Sequence, residues 1–113
     1  MKAANILDNL EFSSEKAMIS VLFESEVSKE IRVAMKHGTM MKEHKTKFPI
    51  TVEIFEGEIE FGIEGKNQQL KKGDIVFLEA NIPHDLVAHK DSIIRLTLSK
   101  FDSAQRVEGV SRM

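Results

Sequence analysis

Two histidines, each following a glycine at a defined spacing, are the residues of this chain best suited to chemistry. His44 follows Gly38 after five residues, in a segment that we predict to be a β-strand. His84 follows Gly73 in a second predicted strand. Imidazole binds divalent metal ions and accepts protons near neutral pH. The pair therefore predicts a metal site, a general base or a polar contact for a ligand.

These histidines must be positioned by β-strands, because the apolar residues alternate with a period close to two along most of the chain. Short runs rich in β-branched and aromatic residues are typical of strands. Turn signals such as Glu64-Gly65-Lys66-Asn67 separate them. The runs are Met18–Phe23, Ile31–Met35, Ile50–Ile54, Ile59–Ile63, Ile75–Leu78 and Ile93–Leu98. The pattern predicts an all-β sandwich or barrel.

The length of 113 residues predicts one domain. Within it we expect a barrel over residues 17–100, an arm or edge strand over 1–12 and a polar tail over 102–113. Some strands, such as Ile75–Leu78, carry apolar residues on both faces. A partner subunit is our preferred cover for the second face, which predicts a homodimer.

The composition excludes several functional classes. The net charge is −2 without a strong basic cluster, so we expect no nucleic-acid partner. No apolar run approaches the ~20 residues that cross a bilayer, and the first ten residues do not form a secretory signal, so we expect a cytoplasmic protein without a membrane contact. The absence of cysteine rules out disulfides and thiolate metal sites.

The two histidine segments resemble the paired signature of the cupin family. The first motif matches at Gly38, His44 and Gly57, and the second at Gly73 and His84. Thr46 and Ile50 stand where the family has a second histidine and a glutamate, and three positions of the second motif also depart from the pattern: Glu79, Asn81 and Ala88. The resemblance covers about residues 30 to 99. It implies an antiparallel double-stranded β-helix, that is, a jelly-roll barrel.

The resemblance also implies a divalent metal (Fe, Mn, Ni or Zn) held by three histidines and one glutamate. In this chain the ligand set shrinks to His44 and His84. A one-residue bulge at Pro49 would turn Glu53 inward as a third ligand, and His37 is another candidate. The count from Gly38 to Gly57 favours the register without a bulge.

In that register we expect a small-molecule pocket with apolar walls and a few convergent polar groups. The expected lining is His44, Thr46, Ile50, Val52, Ile54, Phe61 and His84. Binding of a small organic molecule, with or without a weakly held metal, is the preferred function. A metal-dependent dioxygenase, decarboxylase, isomerase or lyase is the alternative, and a structural dimerisation module ranks last. Histidines bonded only to each other or to water at the mouth of the barrel are the non-functional alternative.

Overall fold

The computed structural model describes residues 1–101, in which nine β-strands and no helix are present. The strands are β1 Met18–Glu24, β2 Ser28–Met35, β3 Met40–His44, β4 Ile50–Glu56, β5 Glu58–Ile63, β6 Lys66–Lys71, β7 Ile75–Leu78, β8 His84–Ala88 and β9 Ser92–Ser99. No helix in this part of the chain is long and apolar enough to cross a bilayer. The predicted tail 102–113 lies outside the described residues.

The strands form two antiparallel sheets that pack face to face. Sheet A has the order β1-β2-β9-β4-β7, and sheet B has the order β3-β8-β5-β6. Side chains alternate between the two faces of each strand, so one set from each sheet fills the space between them. Ile54 of sheet A and Ile59 of sheet B are both 0% exposed in this core. The all-β prediction is confirmed.

Gly57 lets the chain pass from sheet A to sheet B between β4 and β5. Its φ angle is +97°, and a Cβ built there would clash with Oγ of Ser92 and with the carbonyl oxygen of Asp91. Only glycine combines this backbone conformation with so close an approach. The hydroxyl of Ser92 also accepts the Glu58 N–H at 3.0 Å, which fixes the start of β5 against β9.

The outer face of sheet A carries charged residues at its centre. Glu53 and Arg95 are cross-strand partners, and Nε of Arg95 donates to the Glu53 carboxylate at 2.8 Å. Nη1 of Arg95 donates to Glu30 at 2.9 Å. The β7 side chains Ile75 and Phe77 share this face and are 59% and 51% exposed. β7 therefore does present apolar residues on both faces.

The N-terminal arm, residues 1–17, has no regular secondary structure and runs over the part of this outer face that β1 and β2 form. Arg32 of β2 lies beneath it and is only 4% exposed. Nη1 of Arg32 donates to the carbonyl oxygens of Ile6 at 2.8 Å and Asp8 at 2.7 Å. These bonds attach the arm to the sheet.

Candidate functional site

His44 and His84 lie side by side on adjacent strands of sheet B. β3 and β8 pair antiparallel, and the two residues are direct cross-strand partners. Partners in this position point to the same face of a sheet. The ring centroids are 4.3 Å apart and the ring planes meet at 61°. The sequence prediction that two imidazoles from separate strands come together is therefore confirmed by this geometry.

An irregularity in β3 turns His44 inward. Met41 pairs with Leu86 and His44 pairs with His84, so three steps along β3 match two along β8. One extra residue on a strand reverses the alternation of its side chains beyond that point. Met41 and His44 consequently both face the core, although an odd number of positions separates them.

Both rings are held by a hydrogen bond from the same nitrogen. Nδ1 of His44 is 2.7 Å from the carbonyl oxygen of Lys42, and Nδ1 of His84 is 2.8 Å from that of Ile82. A carbonyl oxygen only accepts hydrogen bonds, so each Nδ1 carries the proton. In the neutral ring Nε2 is then unprotonated and acts as an acceptor or a base. Neither Nε2 bonds to a protein group within residues 1–101.

His84 is neutral near pH 7 because of where it lies. The residue is 2% exposed, and this burial lowers its pKa below the ordinary value by removing water from the charged form. A positive charge on His44 acts in the same direction, whereas the Ile82 carbonyl and the Asp85 carboxylate favour the charged form. Because the lowering effects dominate, His84 offers a lone pair on Nε2 under physiological conditions.

The pair continues into a row of residues across the inner face of sheet B. His84 is the cross-strand partner of Ile63, which in turn is the partner of Lys66. We call His44, His84, Ile63 and Lys66 the histidine row. The row places two bases, an apolar side chain and an exposed cation in sequence along one end of the sandwich.

A hairpin turn sets the far end of this row. Glu64 and Gly65 connect β5 to β6 with φ angles of 53° and 79°. Two consecutive positive φ values are characteristic of the type I′ turn, whose twist matches that of the flanking strands. The two-residue turn requires Ile63 and Lys66 to face each other.

Phe61 contacts His84 and also lines an open cleft that neither histidine lines. Its ring stacks on His84 with centroids 5.5 Å apart and planes 5° from parallel. Phe61 and Ile63 also line a cleft of about 470 Å³ at the β5–β6 hairpin, together with Lys66 and Gln68. An apolar ring therefore separates the buried imidazole from a space large enough for a small organic molecule.

Only some of the predicted pocket residues meet at this site. His44, His84 and Phe61 come together, but the inward side chains of β4 are at most 1% exposed and pack into the core: Ile50, Val52 and Ile54. These three side chains belong to the core next to the site and do not line an open pocket. Thr46 is half-buried and donates its hydroxyl to the Phe48 carbonyl at 2.8 Å, so that hydroxyl bonds locally beyond the end of β3.

Neither possible third ligand for a metal, Glu53 or His37, lies beside the two histidines. Glu53 is on the outer face of sheet A, where it binds Arg95, because β4 enters the sheet with Ile50 inward and has no bulge at Pro49. His37 is exposed in the turn before β3. Within residues 1–101 no group of three or more His, Cys, Asp or Glu side chains is arranged to hold a metal ion.

The donor set does not fit a resident catalytic metal. Such sites normally keep three protein ligands and leave a position open for substrate. His44 and His84 can provide two Nε2 ligands, and in residues 1–101 no Cys, Asp or Glu side chain joins them to make a group of three. The residues present are therefore one ligand short of the arrangement that the sequence resemblance implied.

The sequence reasoning missed Ile63, Lys66 and Gln68. The segment that contains Lys66 was interpreted only as a turn, because β6 has a single buried apolar residue, Leu70. The signal was the Glu64-Gly65 pair. A two-residue turn after a strand predicts a second strand and sets which of its residues face inward.

Comparison with known proteins gives a consistent result. A family model of the cupin domain matches residues 31–99. An RmlC-like cupin from Desulfovibrio desulfuricans is 24% identical over 88% of this chain and 96% of that chain, with a TM-score of 0.80. A conserved protein with a double-stranded β-helix domain from Klebsiella pneumoniae is 19% identical over 88% and 89% of the two chains, with a TM-score of 0.77.

A third solved structure, KdgF from Halomonas sp., is 20% identical over 79% of this chain and 83% of that chain, with a TM-score of 0.67. No curated protein matches the chain. At these identities the solved structures establish the fold alone, and they confirm the jelly-roll prediction. Because the family model spans more than half of the residues, the chain belongs to the cupin family.

Proposed function

We propose that this cupin binds a small organic molecule at the histidine row. One observation carries the proposal: both imidazoles are held through Nδ1, which leaves two neighbouring Nε2 lone pairs without a protein donor in residues 1–101. Two neutral rings of this tautomer cannot hydrogen-bond to each other through Nε2, because neither carries a proton there. A bound molecule that donates to these lone pairs forms hydrogen bonds that no protein group in residues 1–101 supplies, and these bonds stabilise the complex.

The ligand chemistry follows from the row. Two adjacent acceptors favour a molecule with two neighbouring donors, such as hydroxyl groups or an amide N–H. The apolar surface of Phe61 and Ile63 favours a hydrocarbon or ring portion next to those donors. Lys66 is exposed at the end of the row and supports a partial negative charge on the ligand. We therefore propose a neutral or mildly anionic hydroxylated compound.

Proton abstraction is the second candidate function, and the low pKa of His84 favours it. A base that is unprotonated at neutral pH can take a proton from a substrate O–H or C–H group onto Nε2. The Ile82 carbonyl and the Asp85 carboxylate would then stabilise the imidazolium that forms. Cupins catalyse many reactions, so the fold does not select a dioxygenase, decarboxylase, isomerase or lyase reaction.

Bound metal distinguishes the proposed ligand binding, which does not require it, from metal-dependent catalysis. A divalent ion held by His44 and His84 alone would be bound weakly, and we propose binding that does not require it. The test is metal analysis by mass spectrometry on protein purified without a histidine tag, before and after dialysis against a chelator. Stoichiometric metal that disappears in His44→Ala and His84→Ala would replace this proposal with the metal-dependent one.

Ligand binding is tested by thermal denaturation in the presence of hydroxylated metabolites and their O-methylated analogues. A ligand at about 100 times its dissociation constant adds roughly 2.7 kcal/mol to the free energy of unfolding. We expect stabilisation by the hydroxylated compound and not by its O-methylated analogue. His44→Ala and His84→Ala should abolish it, whereas the surface control His89→Ala should retain it. Equal stabilisation of all three variants would place the ligand elsewhere.

We also propose that the chain is a cytoplasmic homodimer. The support is the apolar part of the outer face of sheet A, where Ile75 is 59% exposed. A second copy of the same chain would bury such a face through a twofold contact. Light scattering over a range of protein concentrations should give the mass of a dimer. Ile75→Lys should shift the mass toward the monomer, and an unchanged mass would place the contact on another face.

A further inference from the structure

Two arginines lie next to each other on the outer face of sheet A but have different surroundings. Arg32 of β2 and Arg95 of β9 are direct cross-strand partners. Arg95 is paired with two carboxylates, those of Glu30 and Glu53. Arg32 has no carboxylate partner in residues 1–101 and bonds only to backbone carbonyl oxygens of the arm. Its positive charge is therefore buried without a carboxylate in ion-pair contact in this part of the chain.

The hydrogen bonds of Arg32 leave one edge of its guanidinium open. A guanidinium has five N–H donors. Nη1 uses two of them, and Nη2 makes one long bond of 3.3 Å to the carbonyl oxygen of Asn9. Nε is buried and has no hydrogen-bond partner. We call the edge formed by Nε and Nη2 the open edge because its donors are not all used, although Nε is shielded from solvent. Such an edge has the geometry to bind a carboxylate or phosphate through two parallel hydrogen bonds.

Burial makes this edge energetically significant. A guanidinium stays charged at every physiological pH, and removing it from water without a counter-charge is expensive. Like charges directly opposite each other on neighbouring strands are also destabilising. Glu30 and Glu53 form ion pairs with Arg95, whereas no carboxylate in residues 1–101 forms an ion pair with Arg32.

A cleft of about 400 Å³ lies beside Arg32, between the arm and β1. The small side chains of Ala3 and Ala4 leave this space open. Ser20 also lines the cleft and is the cross-strand partner of Arg32, so both point to the same face. The Ser20 hydroxyl makes no hydrogen bond within residues 1–101 and is available as a further donor. The space suits a carboxylate or phosphate group.

We propose that this cleft binds a small oxyanion, with a carboxylate or phosphate group held by the open edge of Arg32 and the hydroxyl of Ser20. The Asp8 carboxylate also lines the cleft and repels an anion, which keeps the affinity modest. Nε is shielded from solvent, so full engagement of the open edge requires a local shift of the Arg32 side chain or of the arm that bonds to it. This site lies on the outer face of sheet A and is independent of the histidine row.

The test is a titration with sodium acetate and with phosphate at constant ionic strength, followed by the NMR signals of Arg32 Nε–H and the backbone amides of Ile6 to Asn9. We expect saturable shifts of these signals. Ser20→Ala should weaken binding about 3- to 10-fold, since a net hydrogen bond contributes about 1 kcal/mol. Asp8→Asn should strengthen it. Ala4→Leu fills the cleft and should abolish it without altering Arg32.

Two further measurements complete the test. Arg95→Met is the matched control, because that arginine already has its carboxylates, and it should leave the titration unchanged. The same shifts on raising the protein concentration without added anion would assign the carboxylate to a second copy of the chain and support the same site. Shifts that stay linear in anion concentration, or that are unaffected by both Ser20→Ala and Asp8→Asn, would overturn the proposal.

Discussion

The two histidines on the inner face of sheet B and Arg95 on the outer face of sheet A satisfy their polar groups in different ways. At the centre of the outer face, Arg95 binds two carboxylates, and its bonding is closed within the protein. On the inner face, His44 and His84 each use one nitrogen for a backbone carbonyl and keep the other free. Polar groups whose hydrogen bonds are complete within the protein stabilise the sheet, whereas an acceptor that no protein group uses is available to a ligand.

The largest effect on stability should come from a substitution in the core, compared with one at the edge of the candidate site. Ile54→Ala should lower the free energy of unfolding by about 2–5 kcal/mol, because Ile54 is 0% exposed and its loss leaves a cavity. Ile63→Ala, at a half-buried position of the histidine row, should lower the free energy of unfolding by roughly 1 kcal/mol. Urea denaturation measures both. Equal losses would mean that the end of the sandwich is as tightly packed as its centre.

An intermediate effect on stability should come from removing one of the two carboxylates that pair with Arg95. Glu30→Ala removes a carboxylate that accepts from Nη1 of Arg95 at 2.9 Å and from the Thr97 hydroxyl at 2.6 Å. We expect a loss of about 1–3 kcal/mol in the free energy of unfolding, as for other hydrogen bonds to charged groups. Glu24→Ala, which breaks the exposed pair with Lys100, is the control and should leave stability unchanged. A neutral result for Glu30→Ala would remove the distinction between the two faces.

The smallest effect should be a pH dependence that originates at His84. Its pKa in the folded protein is lowered by burial, so the unfolded chain takes up the proton first as the pH falls. The stability from the neutral ring is complete above about pH 6.5 and decreases below it, by at most about 1.4 kcal/mol per pH unit.

This slope is measured by urea denaturation between pH 7.5 and 5, alongside an NMR titration of the histidine Cε1–H signals. His84→Leu should remove the contribution of His84 to the slope, and His37→Leu should leave that contribution in place. A folded-state pKa of His84 at or above 6.5 would contradict the assignment of a buried, neutral base.

The fold and the proximity of the two histidines could be predicted from the sequence, because glycine spacing and period-two alternation are local properties of the chain. The sequence was not sufficient for the pocket. Alternation placed Ile50, Val52 and Ile54 inward correctly, but whether an inward side chain lines a cavity or fills a core depends on packing across both sheets.

The possible third metal ligand shows how register decides a site. A bulge at Pro49 was the less favoured alternative that would turn Glu53 inward, and the count from Gly38 to Gly57 favoured the register that the structure has, with Ile50 inward. The irregularity that the sequence did not predict lies within β3, between Met41 and His44. A single inserted residue reverses every later side chain of a strand, and the β3 segment has no sequence signal for it. The polar strand β6 was missed because its pairing, and not its hydrophobicity, makes it a strand.

The pairing of β3 with β8 has a kinetic consequence. The segments that bear the two imidazoles are separated by four intervening strands, so they meet only after a long stretch of chain has been ordered. A partly folded chain holds the same two side chains without their convergence. A molecule that binds both imidazoles at once therefore binds the folded protein and not the partly folded chain. In the cell such a molecule would slow the degradation of the folded protein.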